Sequence, residues 1–157
     1  MSIRIGQGVD IHRVSDDPGR AMVLGGVLFD GPGLVGHSDA DAVAHAVTDA
    51  LLAAAGLGDI GQQFPDTDPA LEGADSMVLL DKAVAMVREA GWSAVNVDCT
   101  VIADAPKLAP RRGEMEAGLS LVVGAPVTVK GRRTEGVGSL GAGDAVVALA
   151  VALVESR

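Results

Sequence analysis

The three histidines are the residues best suited to chemistry, and all lie in the first third of the sequence beside carboxylates. Asp10 and His12 stand two positions apart in a stretch that alternates like a β-strand, so their side chains share one face. His45 lies in a segment with the apolar spacing of a helix. If that helix packs on the strand, Asp10, His12 and His45 form a three-ligand metal site with an open fourth position, as in catalytic zinc sites. The same ligands also suit non-haem Fe(II).

Each half of this site has an ordinary structural explanation as well. Asp10 and His12 fit the solvated face of an edge strand, and a single helical histidine is more often a satisfied core or surface residue than a ligand. On the helix, His45 shares a stripe with Asp41 and Asp49. The combination of the two motifs, rather than either alone, favours a metal site.

His37 and Ser38 directly precede the predicted helix. Free backbone N–H groups and the helix dipole make a helix start a natural anion site, where His37 is suited to donate to a phosphate oxygen. Ser38 or Asp39 is expected to cap the helix. Capping by Ser38 is compatible with the anion site.

Two further segments carry weaker signals. The loop over 58–75 contains Asp59, Asp66 and Asp68, which suit sugar hydroxyls or a hard cation but also occur as ordinary loop acids. The glycine-rich segment 136–144 resembles a phosphate cradle that opens a helix, yet it lacks the Walker lysine spacing and the Rossmann context. Neither segment assigns a ligand by itself.

Composition limits the classes of protein that fit. The chain has 157 residues, 48% hydrophobic but only 2% aromatic, so we expect one domain with a core of small aliphatic side chains. Its formal net charge of −9 argues against nucleic acid as a partner. The single cysteine, Cys99, excludes an intramolecular disulfide and favours a reducing compartment. Without a leader or a bilayer-spanning apolar run, we expect a cytoplasmic protein with no membrane partner.

Half of the Lys and Arg residues lie within residues 107–133, where Glu114 and Glu116 are the only acidic residues. This concentration suits a local anion site in an acidic protein, although a solvated basic face is the commoner explanation. Six of the twelve basic residues belong to it: Lys107, Arg111, Arg112, Lys130, Arg132 and Arg133.

The elements that must position these residues follow from apolar periodicity and breakers. Strands are predicted over 3–14, over 22–29 with a Gly-Gly turn, over 94–102 and over 127–130. Helices are predicted from residue 38 or 39 to Gly56 or Gly58, and over 76–91, 110–123 and 144–155. The last segment is rich in Ala and Val, so we expect it to be buried on several sides and against another subunit. In the first strand, Val9 and Ile11 are expected to face the core. Without regular βαβ alternation, the pattern favours an α+β fold, with one mixed sheet and helices on one face.

Together these segments resemble the 2-C-methyl-D-erythritol 2,4-cyclodiphosphate synthase family over essentially the whole chain. The resemblance rests on GQGVDIHR (6–13), GHSDADAVAHAVTDALLAAAGLGDIGQQFPDTDP (36–69), GADS (73–76) and NVDCTVIADAPK (96–107). It implies a single domain over 1–157 with a ferredoxin-like fold, assembled as a homotrimer with active sites between neighbouring subunits.

The resemblance also implies a reaction of the non-mevalonate isoprenoid pathway. In 4-diphosphocytidyl-2-C-methyl-D-erythritol 2-phosphate, the 2-phosphate attacks the β-phosphorus, CMP leaves and a cyclic diphosphate forms, which makes the enzyme a phosphorus–oxygen lyase. Such a transfer requires two anionic groups to be folded together, their charge to be neutralised and the leaving group to be stabilised.

By position, the resemblance assigns Zn²⁺ or another divalent transition metal to Asp10, His12 and His45, which thereby also face the substrate phosphates. It assigns Mg²⁺ or Mn²⁺, bound with the diphosphate, to Glu135. His37 and Ser38 would contact phosphate, with His37 stabilising the transition state. The methylerythritol pocket would take Asp59, Ile60, Gly61, Phe64, Pro65, Asp66, Thr67 and Asp68. The cytidine diphosphate would contact, from the adjacent subunit, Ala103, Asp104, Ala105, Pro106, Lys107, Leu108 and Ala109, and its phosphates Arg132, Arg133, Thr134 and Glu135.

The sequence departs from the family pattern near its C-terminus. Where the family has Ala-Thr-Thr-Thr-Glu after the strand lysine, residues 131–135 are Gly-Arg-Arg-Thr-Glu, so Arg133 replaces a threonine that stabilises the transition state. A Phe, an Arg and a Glu of the family are replaced by Ser139, Ala142 and Asp144. Our hypothesis is that charge is relocated, with Arg132 and Arg133 pairing with phosphate in place of the missing arginine.

Two other interpretations stay open. A zinc- or iron-dependent phosphohydrolase would use the same Asp/His/His set and release inorganic phosphate. A non-catalytic trimeric binding protein would have lost its activity when the C-terminal loop changed.

Overall fold

A four-stranded sheet carries helices on one face and leaves its other face open. The computed structural model describes residues 1–157. The strands are β1 (Ile3–Arg13), β2 (Met22–Leu24), β3 (Val27–Phe29), β4 (Trp92–Ile102), β5 (Val127–Arg132) and β6 (Ala145–Ser156). The helices are α1 (Ala42–Ala55), α2 (Ile60–Gln63), α3 (Ser76–Glu89), α4 (Arg112–Val123) and α5 (Gly138–Gly141), with a 3₁₀ turn over Pro69–Leu71. No helix combines the length and the apolar character that crossing a membrane requires.

The sheet is mixed, with the strand order β1-β6-β4-β5, and β2 and β3 form a separate hairpin. β6 runs antiparallel to both β1 and β4, whereas β4 and β5 are parallel. The predicted α+β class is thus confirmed. The strand predictions near 3–14, 22–29, 94–102 and 127–130 and the helices α1, α3 and α4 are confirmed as well.

The helix predicted over 144–155 is wrong, because this segment forms β6 at the centre of the sheet. Ala148, Ala150 and Ala152 are each 0% exposed and lie on the face that α1 covers. Their small side chains let the helix approach the sheet, while larger residues occupy the alternate positions. A strand bonded on both sides and packed against a helix is as apolar as a buried helix, so composition alone could not separate the two.

The prediction that Val9 and Ile11 face the core is also wrong. Their side chains are 48% and 61% exposed, respectively, on the open face of the sheet. Helix α1 packs on the opposite face of β1, which carries Gly6, Gly8 and the pair Asp10 and His12. The strand alternation was therefore predicted correctly, but the apolar positions were assigned to the wrong side.

Gly6 and Gly8 permit the closest contact between β1 and α1. A Cβ atom added to Gly6 would lie 2.0 Å from the carbonyl oxygen of Ala50, and one added to Gly8 would lie 2.0 Å from that of Ala46. Any side chain at either position would push the helix away. The two glycines thus set the distance between the strand that carries Asp10 and the helix that carries His45.

Helix α1 begins after Asp41, not after Ser38 or Asp39 as predicted. The Asp41 carboxylate is fully buried and accepts backbone N–H bonds from Val43 and Ala44 at the helix start. It also accepts those of Gly25 and Gly26 in the β2–β3 turn, at 2.8 and 2.7 Å. This one carboxylate fixes the hairpin to the helix.

Two further predictions differ from the structure. The loop over 58–75 is not wholly irregular, because it contains α2 and the 3₁₀ turn. The glycine-rich segment 136–144 forms only the single turn of α5 and leads into a strand, so it does not open a helix that could cradle phosphate. The helix-start argument for an anion site therefore does not apply to this segment.

Candidate active site

Asp10, His12 and His45 converge where β1 meets α1. The Asp10 Oδ2 atom lies 2.8 Å from His12 Nε2 and 3.2 Å from His45 Nδ1, and the two ring nitrogens are 3.2 Å apart. All three ligand atoms fall within 4.8 Å of one another, which is the spacing of a possible metal-binding group. The predicted convergence is confirmed.

The outer nitrogens of both imidazoles have their own partners. His12 Nδ1 lies 2.6 Å from the carbonyl oxygen of Val35, which can only accept, so Nδ1 carries a proton. His45 Nε2 lies 2.8 Å from Ser76 Oγ, whose own proton is donated to Asp39. Ser76 must therefore accept from His45. These bonds direct the lone pairs of His12 Nε2 and His45 Nδ1 towards Asp10.

Three acceptors thus converge on one point, which is the arrangement that a cation satisfies. When protons occupy this point in place of a cation, burial opposes ionisation of Asp10, but hydrogen bonds from His12 and His45 outweigh it and hold the pKa of Asp10 well below its usual range. Burial disfavours a charged His12, but its bond to Asp10 raises the pKa of the imidazole. A proton thus competes with a metal here, and two imidazoles with one carboxylate suit a transition metal.

A cavity of about 380 Å³ opens over this group. The sequence-predicted residues that line it are Asp10, His12, His37, Ser38, His45, Ile60, Gly61, Phe64 and Asp66. Gly36, Leu71 and Leu79 complete the wall. The first cluster of predicted residues therefore meets in one place, although its members come from four parts of the chain: β1, the segment before α1, α1 itself, and α2 with the loop after it.

The other residues predicted for the methylerythritol pocket do not line this cavity: Asp59, Pro65, Thr67 and Asp68. Two of them cap short helices instead. Asp59 accepts the N–H of Gln62 at 2.8 Å, and Asp68 accepts that of Ala70 at 2.9 Å. In this chain their carboxylates stabilise the loop that carries the pocket.

His37 and Ser38 lie at the mouth of the cavity. His37 Nε2 donates to the carbonyl oxygen of Asp68 at 2.8 Å, which leaves its Nδ1 as the free ring nitrogen. Ser38 is buried, and its hydroxyl lies 3.1 Å from His45 Nε2 and accepts the N–H of Ala40 at 3.2 Å. Ala40 is itself buried with φ of 59°, a left-handed conformation unusual for alanine.

A second cavity, of about 500 Å³, lies near the ends of β4 and β5. Its predicted lining residues are Ala103, Asp104, Pro106, Lys107, Leu108, Ala109, Arg132 and Arg133, and Val101, Pro110, Arg112 and Gly131 join them. Ala105, Thr134 and Glu135 do not line it. No residue lines both cavities.

Four of the six clustered basic residues line the second cavity: Lys107, Arg112, Arg132 and Arg133. The other two are paired elsewhere on the surface. Arg111 binds Glu114 and the carbonyl oxygen of Leu28, and Lys130 binds Asp98. The cluster is therefore partly a cavity wall and partly a set of surface ion pairs.

Thr134 ties the segment after β5 to the segment after β4. Its N–H donates to Asp104 Oδ1 at 3.2 Å, and its hydroxyl donates to the other carboxylate oxygen. These bonds hold the pKa of Asp104 below its usual range. Thr134 is buried, whereas Glu135 is exposed with φ of 54°. The Glu135 carboxylate is thus presented at a sharp left-handed turn.

Sequence reasoning missed three residues that support the site: Gly8, Asp39 and Ser76. The signal for Gly8 was available, because a glycine inside a strand marks a close backbone approach. Asp39 was noticed only as a possible cap, and Ser76 as part of a matching segment. Asp39 and Ser76 are 37 positions apart in sequence. They act together on His45 only because α3 packs beside the start of α1.

A family model described as the YgbB family matches residues 3–155. Curated relatives named 2-C-methyl-D-erythritol 2,4-cyclodiphosphate synthase match over almost the full length of both chains. One from Dechloromonas aromatica (strain RCB) is 54% identical over 99% of this chain and 98% of the relative. One from Laribacter hongkongensis (strain HLHK9) is 55% identical over 100% of this chain and 98% of the relative.

Solved structures agree with these relatives. The bifunctional IspDF from Campylobacter jejuni is similar with a TM-score of 0.94 and 36% identity, covering 99% of this chain and 43% of that one. A CDP-bound 2C-methyl-D-erythritol-2,4-cyclodiphosphate synthase has a TM-score of 0.86 and 40% identity, covering 97% of this chain and 100% of that one. The fold and the site together define the class: an α+β enzyme with a candidate metal-binding site. The chain belongs to the YgbB family, that of the 2-C-methyl-D-erythritol 2,4-cyclodiphosphate synthases.

Proposed function

We propose that residues 1–157 form one domain that converts 4-diphosphocytidyl-2-C-methyl-D-erythritol 2-phosphate into 2-C-methyl-D-erythritol 2,4-cyclodiphosphate and CMP. The observation that carries this proposal is the convergence of Asp10, His12 and His45 beside His37 and Ser38 in one cavity. Family membership supplies the reaction class. The phosphohydrolase and the binding protein considered above share the same cluster but have no support from the named relatives.

In this reaction an oxygen of the 2-phosphate forms a bond to the β-phosphorus. The bond between the β-phosphorus and the bridging oxygen breaks, and CMP leaves with that oxygen and its electron pair. No water enters, so the atoms of the substrate are divided between the cyclic product and CMP. The chain therefore has to fold the substrate, offset its negative charge and exclude water.

Asp10, His12 and His45 would hold a divalent transition metal, Zn²⁺ in our proposal. When bound, the metal supplies positive charge and Lewis acidity towards phosphate oxygens. With both ring nitrogens protonated, His37 would donate from Nδ1 to a phosphate oxygen, and the Ser38 hydroxyl, which borders the same space, would donate to another, so that the two residues orient the phosphates. The half-buried Ile60 and Phe64 would border the methylerythritol carbons.

The second cavity would hold the cytidine diphosphate part of the substrate. Segment 103–109 contributes backbone groups and Lys107 to its wall, while Arg132 and Arg133 contribute positive charge. Thr134 would hold this wall in shape through Asp104, and Glu135 would help to hold Mg²⁺ or Mn²⁺ with the diphosphate. Two similar solved structures are complexes with CDP, which supports a nucleotide-diphosphate ligand.

A homotrimer would bring the first cavity of one subunit against the second cavity of its neighbour; within one chain the two cavities share no lining residue. The open face of the sheet supports such an assembly. It exposes Ile5, Val9, Ile11 and Val151, with side chains 71%, 48%, 61% and 47% accessible, respectively. An apolar surface of this kind is typical of a protein–protein interface. Sedimentation of the purified protein would show a species of three chains.

The decisive experiment incubates the purified protein with the diphosphocytidyl substrate and follows phosphorus species by ³¹P NMR and mass spectrometry. We expect CMP and the cyclic diphosphate in equal amounts. Release of inorganic phosphate without a cyclic product would favour the phosphohydrolase. Binding without turnover would favour the non-catalytic protein. Metal analysis should find Zn²⁺ in the wild type and its loss in His45→Ala; unchanged zinc would contradict the assignment.

The role of Arg133 is tested with Arg133→Thr. If the guanidinium pairs with phosphate, the variant should lose about tenfold or more in turnover, in affinity for CMP, or in both. Lys82→Thr is a matched control, because Lys82 is exposed on α3 and lines neither cavity. Unchanged turnover and CMP affinity in Arg133→Thr would contradict the proposed relocation of charge.

A further inference from the structure

We propose that Arg20 is a positioning residue for the active site, one that holds the segment 34–38 in place. This segment supplies His37 and Ser38 to the first cavity and the Val35 carbonyl to His12. The inference deepens the proposed function and rests on it for the catalytic readout. No motif singles out Arg20, which precedes β2 in the chain.

The guanidinium of Arg20 binds three carbonyl groups of one short segment. Its Nε donates to the carbonyl oxygen of Leu34, and its Nη2 donates to those of Gly36 and Ser38, each at 2.7 Å. The side chain is half-buried, so these bonds are partly shielded from solvent. The backbone of Arg20 adds a fourth contact, because its carbonyl oxygen accepts the N–H of Gly33 at 3.0 Å.

The intervening carbonyls are bound by different partners. The Val35 carbonyl accepts from His12 Nδ1 at 2.6 Å, and the His37 carbonyl accepts the N–H of Gly73 at 2.8 Å. The carbonyls that Arg20 binds, at positions 34, 36 and 38, thus alternate along the chain with the two that it does not bind. Segment 34–38 is therefore held by Arg20 at one set of carbonyls and by His12 and Gly73 at the other.

This arrangement connects Arg20 to the metal-binding group and to the phosphate contacts at once. The Val35 carbonyl fixes which nitrogen of His12 carries the proton. The carbonyls on either side of it, those of Leu34 and Gly36, are both bound by Arg20. Arg20 also binds the carbonyl of Ser38, the residue whose hydroxyl lies beside His45. Loss of the clamp would release the orienting partner of His12 and free the backbone around His37.

The shape of the guanidinium, not only its charge, is required for this role. Its planar fork presents several N–H donors in fixed directions, whereas a lysine ammonium is a single compact centre that cannot match three separated carbonyls. Lysine at position 20 would keep the positive charge and lose the geometry. The pair of variants Arg20→Lys and Arg20→Met thus separates the two contributions.

The test measures three properties of both variants. The dissociation constant for Zn²⁺ is obtained by competition with a chelator, hydrogen exchange is followed over residues 33–39, and kcat and KM are measured on the metal-loaded enzyme. We expect both variants to bind Zn²⁺ about tenfold more weakly, to exchange faster in this segment, and to lose kcat more than KM. Arg13→Met, at an exposed arginine of β1, should leave all three unchanged.

The outcomes distinguish this inference from a purely structural role and from failure of the proposed function. Metal affinity and hydrogen exchange do not depend on turnover, so they remain decisive if the wild type proves inactive on the substrate. Partial recovery of Zn²⁺ affinity in Arg20→Ala by added methylguanidinium would support the geometric role. Wild-type Zn²⁺ affinity and wild-type hydrogen exchange in Arg20→Lys would overturn it. A lowered melting temperature in either variant, with Zn²⁺ affinity and hydrogen exchange unchanged, would overturn it as well.

Discussion

His45 donates its Nε2–H to the hydroxyl of Ser76 across 2.8 Å, and Ser76 donates in turn to Asp39. Ser76 is the first residue of α3, so a helix that contributes no ligand controls the orientation of one. Metal-binding histidines are commonly held in this way, and loss of the outer partner weakens the site.

Asp39→Asn should weaken Zn²⁺ binding by about 10–100-fold. Both Asp39 oxygens act as acceptors, one from the Ser76 hydroxyl and the other from the Ser76 N–H at 3.1 Å. An asparagine has one acceptor oxygen and one NH₂ donor; with the oxygen accepting the Ser76 N–H, the NH₂ donates to the Ser76 hydroxyl, whose own proton then turns to His45. That reversal would move the imidazole proton to Nδ1, the nitrogen that faces the metal. Chelator competition on the metal-free protein measures the effect.

The control for this variant is Asp75→Asn. Asp75 caps α3 with a single oxygen, which accepts the N–H of Met77 at 2.8 Å, and an asparagine retains that oxygen. Zn²⁺ affinity should stay within twofold of the wild type. Equal affinities in Asp39→Asn and Asp75→Asn would show that the bond between Asp39 and Ser76 does not orient His45.

Gly8→Ala should destabilise the fold and the metal site together. The added Cβ would lie 2.0 Å from the carbonyl oxygen of Ala46, so α1 has to move away from β1. We expect a loss of about 1–3 kcal/mol in the free energy of unfolding, typical of overpacking, and weaker Zn²⁺ binding because His45 moves with the helix. Urea unfolding and chelator competition measure the two effects.

Gly113→Ala provides the opposite case. Gly113 lies in α4 with open space around its Cβ position, and alanine favours a helix by about 0.5–1 kcal/mol. The variant should be slightly more stable than the wild type and bind Zn²⁺ equally well. If Gly8→Ala were as stable as the wild type, the close contact between β1 and α1 would not require glycine at position 8.

Asp41→Asn should cost about 2–4 kcal/mol in the free energy of unfolding. Four backbone N–H groups converge on the two oxygens of this buried carboxylate. The amide group of asparagine would face at least one of these donors and leave it unpaired. Thermal or urea unfolding measures the loss, and Asp75→Asn again serves as the control with a change below about 0.5 kcal/mol.

Cys99 should resist alkylation in the folded protein. Burial, with nearby carboxylates, raises the pKa of its thiol to about 12, so the reactive thiolate is scarce at pH 8. Iodoacetamide followed by mass spectrometry should leave the native protein unmodified and label it in urea. The sign of the pH effect follows: unfolded thiols ionise near 9, so this group lowers stability as the pH rises from about 9 towards 12. Rapid native labelling would contradict the burial.

The metal-binding group was predictable because its signals are local. Asp10 and His12 follow the two-residue period of a strand, and His45 falls in a strongly helical segment. The cap of α1 was predicted wrongly as Ser38 or Asp39, because Asp41 is an equally suitable residue type for a cap and lies only two positions further on. Asp41 is selected by the turn at Gly25 and Gly26, whose N–H groups reach it only in the folded chain.

The error at β6 has a different origin. Ala148, Ala150 and Ala152 alternate with larger side chains, which is a strand period, but the run is apolar at every position. Hydrogen bonds to β1 and β4 distinguish the strand from a buried helix, and those partners lie far away in sequence. The side of β1 that faces the core was likewise set by α1, not by the apolar residues of β1 itself.

The pairing of β1 has a consequence for how the protein is made. β1 carries Asp10 and His12, and its only neighbour in the sheet is β6. On the ribosome, an emerging chain therefore presents two of the three ligands long before the strand that anchors them has been synthesised. We therefore expect stable metal binding by this group only after residues 145–156 have left the exit tunnel and paired with β1.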